Sequence, residues 1–319
     1  MKKFIKKSGK IVLLVMILIM VVLTFSYINH RIQLSKEDAL FIPIGQQLEV
    51  NGHMINIYSE GTGATTLVFL SGGGTCSPVL DFKSLYSILS DEYRIVVVEK
   101  AGYGFSSIAD IKRDLDSVLS DTRQALELAG IQGPFVLCPH SMSGIESIYW
   151  AQSYPEEVSA IIGLDMAVPE AYEDFQLNMP MIQIGKLAAD LGITRFIPGI
   201  SNSDAIKYGT LTEEEKRLYK VVFYRRTATI TMINEVQEIK ASAKKVDSLG
   251  IPSTPVLMFS SNGQGTGWDQ KEWQKFQSNY IEKAENGTLI KLDCSHYVQD
   301  TEYERIAEEM KIYLENLNH

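Results

Sequence analysis

"FVLCPHSMSGIES", residues 135–147, runs from a short apolar stretch through one abrupt corner into a helix-forming segment, with Ser141 at the bend. Phe135, Val136 and Leu137 are apolar at successive positions, which suits a strand covered on both faces rather than one with a wet side. Pro139 is able to end such a strand, and Ser143 and Gly144 are small enough for a helix to start close behind it. A strand, tight turn and helix of this kind form a nucleophile elbow, which lifts one hydroxyl clear of the sheet. The usual Gly-x-Ser-x-Gly spacing carries Pro139 and Ser143 here where the two glycines stand.

Outward from that corner the chain alternates between short apolar runs and helical stretches. TLVFL (66–70), RIVVVE (94–99), SAIIGLD (159–165), TPVLMFS (254–260) and GTLIKLD (287–293) read as strands like FVLCP (135–139). Helical patterns fall near 79–90, 110–129, 143–153, 270–284 and 301–317. "QQLEVNGHMINIYSEG" alternates apolar and polar residues on both sides of Asn51-Gly52, the pair best suited to a two-residue hairpin turn. These features predict an α/β protein with a mostly parallel, doubly wound sheet. Between Asp165 and Pro252 no strand pattern recurs, and Ile184, Leu187, Ala188 and Leu191 share one helical face. A helical cap over 166–251 is therefore expected after the sixth strand, between core segments 46–165 and 252–319.

The amino-terminal part is of another kind. Lys2, Lys3, Lys6, Lys7 and Lys10 precede an apolar run from Ile11 to Ile28 broken only by Thr24 and Ser26. As a helix, that run spans about 27 Å, the thickness of a bilayer's hydrocarbon core. A cleaved signal peptide is the competing reading, but its apolar region is usually shorter and ends in a small-x-small site, whereas this run leads into Tyr27, Ile28, Asn29, His30 and Arg31. The expectation is a single-pass anchor over residues 1–31, a stalk over 32–45, and a catalytic domain outside the cytoplasm, because the basic excess precedes the run.

From residue 32 onward 24 Lys or Arg face 39 Asp or Glu, which excludes a nucleic-acid binder. Cys76, Cys138 and Cys294 are too far apart to read as a disulfide framework or a zinc site, so small buried hydrophobes are expected.

A serine hydroxyl needs a base to become a nucleophile. Of five histidines, His30 abuts the membrane run, His53 lies in the hairpin, His319 is terminal and His140 adjoins Ser141 itself. His296, just past the last strand, remains as the base.

"PHSMSG" resembles the elbow of the α/β-hydrolase family, which often reads Gly-His-Ser-Met-Gly-Gly. Three further stretches are similar to that family's, in its order. "LVFLSGGGT" resembles the strand and oxyanion loop, with Ser71 in the usual histidine place. "VVVEKAGYGFSS" resembles the next strand and its Asp-x-x-Gly-x-Gly-x-Ser turn, with Glu99 in the aspartate place. "CSHYVQDTEYERI" resembles the segment bearing the catalytic histidine. The resemblance spans residues 46–317, less the cap. It implies a serine hydrolase with Ser141 as nucleophile, His296 as base, and the N–H groups of Gly73 and Met142 as the oxyanion hole, with no cofactor or metal.

Two acids are open. Most family members carry the acid after the strand equivalent to TPVLMFS, where the first acid here is Asp269. Some carry it where Asp165 ends "IIGLD", and an aspartate there would otherwise cap a turn. The expected substrate is a small or lipid acyl ester, an amide or peptide bond being the alternative. A binding domain on the same fold is the competing class, for which Pro139, Ser143 and Ser71 are the best support.

Overall fold

The computed structural model describes residues 2–317, and side chains from residue 9 to residue 317. The side chains of Lys2, Lys3, Lys6 and Lys7, and all of His319, lie outside the described residues. Helix α1 (Lys2–Glu37) leads into a hairpin of β1 (Gln46–Val50) and β2 (His53–Glu60). Asn51 and Gly52, both at positive φ, make its turn. Within the 32–45 stretch read as a stalk, α1 continues to Glu37, and its polar end is paired with other parts of the chain.

Strand β3 (Thr66–Leu70) is followed by the short α2 (Pro78–Asp81) and by α3 (Lys83–Leu89). Strand β4 (Arg94–Glu99), α4 (Leu115–Leu128), β5 (Phe135–Pro139), α5 (Ser143–Ser153) and β6 (Val158–Leu164) complete the first part of the core. Four helices then intervene: α6 (Met179–Asp190), α7 (Asp204–Lys207), α8 (Glu213–Arg226) and α9 (Ile230–Ser248). The core resumes with β7 (Val256–Ser260), α10 (Gln270–Lys283), β8 (Gly287–Lys291), α11 (Val298–Thr301) and α12 (Tyr303–Leu317).

The eight strands form one sheet in the order β1-β2-β4-β3-β5-β6-β7-β8. Pairing is antiparallel only at the β1-β2-β4 edge and parallel from β4 onward. Every residue of β3, β5 and β7 is buried, as the unbroken apolar runs require of strands covered on both faces. One core packs α4, α5, α9 and α10 against one face, and a second packs α3 and α12 against the other. The three cysteines are buried and unpaired by disulfides.

The inserted helices are tied to the core through the turn after β4. Within that turn Glu99 accepts from the Phe105 N–H at 2.7 Å and from Asn56 at 3.0 Å. Burial raises the Glu99 carboxyl to about 7, against the pull of those donors. Lys100 pairs with Glu235 of α9, whose other oxygen accepts from the Tyr103 hydroxyl at 2.7 Å. Gly102 lies where a Cβ would meet the Thr231 side chain at 2.6 Å, so α9 sits hard against this turn.

Candidate active site

The corner after β5 has the predicted form. Ser141 adopts φ +53°, a left-handed conformation that a residue with a side chain holds only when its surroundings impose it. The departure from the usual spacing has a physical account. A Cβ on Gly144 would collide with the Ala167 carbonyl oxygen, so the close approach of α5 to the end of β6 falls at Gly144 rather than at 143. Ser143 is free to keep a hydroxyl, which donates within reach of the Leu70 and His140 carbonyls at 2.6 and 2.8 Å.

Across the C-terminal edge of the sheet, Ser141 Oγ lies 2.8 Å from Nε2 of His296, and Nδ1 of His296 lies 2.6 Å from Oδ2 of Asp165. A carboxylate only accepts, so Nδ1 carries the proton and Nε2 is left as the acceptor facing the serine hydroxyl. Asp165 directly follows β6 at φ +49° and is fully buried. Its Oδ1 accepts from the Ser261 N–H at 2.8 Å, Trp273 Nε1 at 2.7 Å and Gln277 Nε2 at 3.1 Å. Burial alone would raise its carboxyl, but His296 and Ser261 outweigh burial and hold it below the usual carboxylate range.

His296 is fixed along its length. Its backbone N–H donates to the Gln264 carbonyl at 2.9 Å, and its ring meets Trp273 edge-on at 5.8 Å. His140 Nε2 lies 3.1 Å from the His296 carbonyl oxygen, tying the histidine loop to the elbow. Burial and the neighbouring His296 push the His140 imidazole down to about 3, so it acts as a neutral donor at physiological pH.

The Gly72–Gly74 loop borders the serine. A Cβ on Gly72 would meet Ser141 Cβ at 2.6 Å, and one on Gly73 would meet Met142 Cε at 3.0 Å. Among the described residues, neither the Gly73 nor the Met142 N–H donates to another protein group. Ser71, in the place usually held by histidine, is buried with no hydroxyl partner among those residues.

The structure therefore brings Ser141, His296 and Asp165 together, with Gly73 and Met142 beside them, and leaves Asp269 out. Asp269 is the N-cap of α10, its carboxylate accepting from the Glu272 N–H at 2.9 Å. Trp273, Gln277 and Ser261 were not singled out in the sequence. The only local signal is that Trp273 and Gln277 are four apart, hence on one face of α10.

The profile of the alpha/beta hydrolase fold matches residues 65–284. The chain belongs to the α/β-hydrolase family. It is 39% identical over 249 residues to YbdG, an uncharacterized protein of Bacillus subtilis (strain 168), a match covering 76% of this chain and 77% of that one. A shorter match, 32% identical over 110 residues, covers 31% of this chain and 37% of the cis-3-alkyl-4-alkyloxetan-2-one decarboxylase of Xanthomonas campestris. Among solved structures, the haloalkane dehalogenase DbeA from Bradyrhizobium elkanii superposes with a TM-score of 0.64 at 16% identity, over 86% of this chain and 98% of that one. At that identity the likeness shows the fold alone.

Within this α/β-hydrolase, several neighbouring residues fix the placement of Ser141, His296 and Asp165. Ser261 and the α10 pair hold the Asp165 carboxylate, His140 holds the histidine loop, and Gly72 lets its own loop approach the serine. Among the described residues, no group of three or more His, Cys, Asp or Glu side chains is arranged to hold a metal ion.

Proposed function

We propose that this protein is a membrane-anchored serine hydrolase that cleaves carboxylic esters through an acyl-enzyme. The observation that carries the reading is the unbroken line of hydrogen bonds from Ser141 Oγ through the His296 ring to a buried, fully bonded Asp165.

Ser141 attacks the acyl carbonyl while His296 Nε2 takes its proton, and Asp165 stabilises the imidazolium that forms. The tetrahedral oxyanion is received by the N–H groups of Gly73 and Met142. His296 then protonates the departing alcohol, and a water molecule activated by the same nitrogen frees the acid and restores the serine.

Chemistry favours an acyl substrate over the halides acted on by the dehalogenase of similar fold. Displacement of a halide by Ser141 would leave an alkyl ether, which has no carbonyl for water to attack, so the enzyme would stop after one turnover. An acyl ester on the same oxygen is hydrolysed by the machinery that formed it.

Residues 9–37 are the one helix, among the described residues, long and apolar enough to cross a bilayer, and the side chains from Ile11 to Val22 lie open to the surroundings. With the lysines preceding it, this supports a single-pass anchor with the hydrolase outside the cytoplasm.

A fluorophosphonate probe tests the proposal on the detergent-solubilised full chain. Labelling is expected on the wild type, with loss of the label in Ser141→Ala at unchanged melting temperature. Folded wild-type protein that takes up no probe would instead favour a binding domain. A panel of short- and long-chain esters beside matched amides then fixes the acyl bond preferred.

A further inference from the structure

The end of α1 does not leave the protein freely. It is seated on the segment between β6 and β7. Ser26 Oγ donates to the Leu191 carbonyl at 2.7 Å. The Phe25 ring faces Phe196 at 6.4 Å between centroids. Arg195 donates to His30 Nδ1 at 2.9 Å and, through its two terminal nitrogens, to both Glu37 oxygens at 2.8 Å. Arg225 donates to the Leu34 carbonyl at 2.5 Å and to Asp38 at 2.9 Å. A Cβ on Gly192 would collide with His30 Cβ, so the two backbones are in close approach.

These contacts fix the level of the inserted segment along the helix. Ser26 and Phe25 belong to the apolar run Ile11–Ile28, and Leu191 lines one groove together with Met16, Ile19, Met20, Leu23 and Tyr27. The outer turns of the run and the 191–196 stretch thus stand at the same height. If the run is in hydrocarbon, whatever surrounds Leu191 is at the membrane surface or below it.

That surface is apolar and unpartnered. Helix α6 buries only Ala189. Met181, Ile184 and Leu187, at successive intervals of three along it, are 62%, 61% and 57% exposed, and Phe196 beyond it is 55% exposed. The only charges on α6, Lys186 and Asp190, pair with each other at 2.6 Å. A monomer seldom leaves so apolar a face to water, whereas a helix of this make-up lies comfortably at the boundary of headgroups and acyl chains.

We infer that the outer face of α6, with Phe196 beside it, is a membrane-docking surface that rests in the outer leaflet of the bilayer crossed by α1. The inference rests on the anchor reading above. The partner is the acyl region of phospholipids, because the surface continues the lipid-exposed face of α1 without a polar break at Leu191. The inserted helices, tied to the core through Lys100 and Glu235, are thereby held against the lipid, and an ester with a long chain can reach them from the bilayer.

The test uses the full chain reconstituted in phosphatidylcholine–phosphatidylglycerol vesicles. The environment-sensitive fluorophore NBD is attached at Ile184→Cys or, as a second position, Leu187→Cys, both exposed. Glu308→Cys on α12 is the reference position. The native cysteines are buried, and the unsubstituted protein measures their background. Nitroxide lipids labelled just below the headgroup are expected to quench positions 184 and 187 at least about threefold more than 308, with blue-shifted emission. If carbonate-washed vesicles retain the protein but all three positions are equally unquenched, the docking surface is refuted and the anchor stands. A blue shift at 184 and 187 without lipid quenching would assign the face to a second copy of the chain and also refute it. Protein washed out of the vesicles would remove both readings.

Discussion

Asp165→Asn is expected to lower kcat by about 10⁴-fold with KM little changed, because an asparagine amide at this site reverses the His296 tautomer rather than the geometry. The carboxylate accepts the Nδ1 proton at 2.6 Å and so leaves Nε2 able to take the proton of Ser141. An amide oriented to keep its NH₂ toward the ring would make Nδ1 the acceptor and place a proton on Nε2, where the base is needed. The fold should tolerate the change, since Ser261, Trp273 and Gln277 still find an oxygen at the Oδ1 position. Asp269→Asn is the paired control. Asparagine caps a helix about as well as aspartate, so kcat should stay within a few-fold and the melting temperature should hardly move. Steady-state kinetics on whichever ester the panel identifies, with active sites counted by probe labelling, separates the two. Equal activity of Asp165→Asn and wild type would remove Asp165 from the mechanism.

That pair of variants also marks where the sequence stopped being readable. Ser141 was legible because a strand–turn–helix corner leaves a local pattern, and His296 because so few histidines compete with it. The acid was legible only as a preference for Asp165 over Asp269, because each follows a strand of the same kind. Only the strand order, with β6 between β5 and β7, places one beside the histidine and the other at the head of α10. The α10 donors that hold the Asp165 carboxylate were hidden for a related reason. Trp273 and Gln277 read as an amphipathic face, and nothing local says that the face meets a carboxylate from 108 residues away. Strand and helix positions were legible throughout the core, since burial on both faces writes itself into unbroken apolar runs. What local sequence did not disclose about the stretch after Arg31 is its pairing with Arg195 and Arg225, partners far along the chain.

The second large effect expected is a gain in stability. Asp300→Asn should stabilise the fold by about 2–4 kcal/mol near pH 7, and the advantage should shrink as pH falls toward 4. Asp300, on α11 just after the histidine loop, is fully buried with neither carboxylate oxygen bonded among the described residues. Asp81, at the end of α2, is also buried, and among the described residues its side-chain donor is the Tyr219 hydroxyl at 2.9 Å. Burial first, then repulsion from Asp81 and Asp204, pushes the Asp300 carboxyl well above its ordinary value, and burial raises Asp81 as well. The sign follows from where the proton is held. An acid raised in the folded state keeps its proton there while the unfolded chain has lost it, so folding is favoured below the unfolded value near 4. The benefit is lost as pH rises toward the folded value. Near pH 7 the fold must either hold a proton that the unfolded chain has released or bury an unpaired carboxylate, and both cost stability. Asparagine carries no such proton and removes the dependence, while offering similar volume. Denaturant or thermal unfolding of both proteins between pH 4.5 and 8 reads the difference directly. An advantage that stayed constant with pH would mean that the titration of Asp300 is not its source, and a loss at pH 7 would mean that the carboxylate is ionised and stabilised in the native fold.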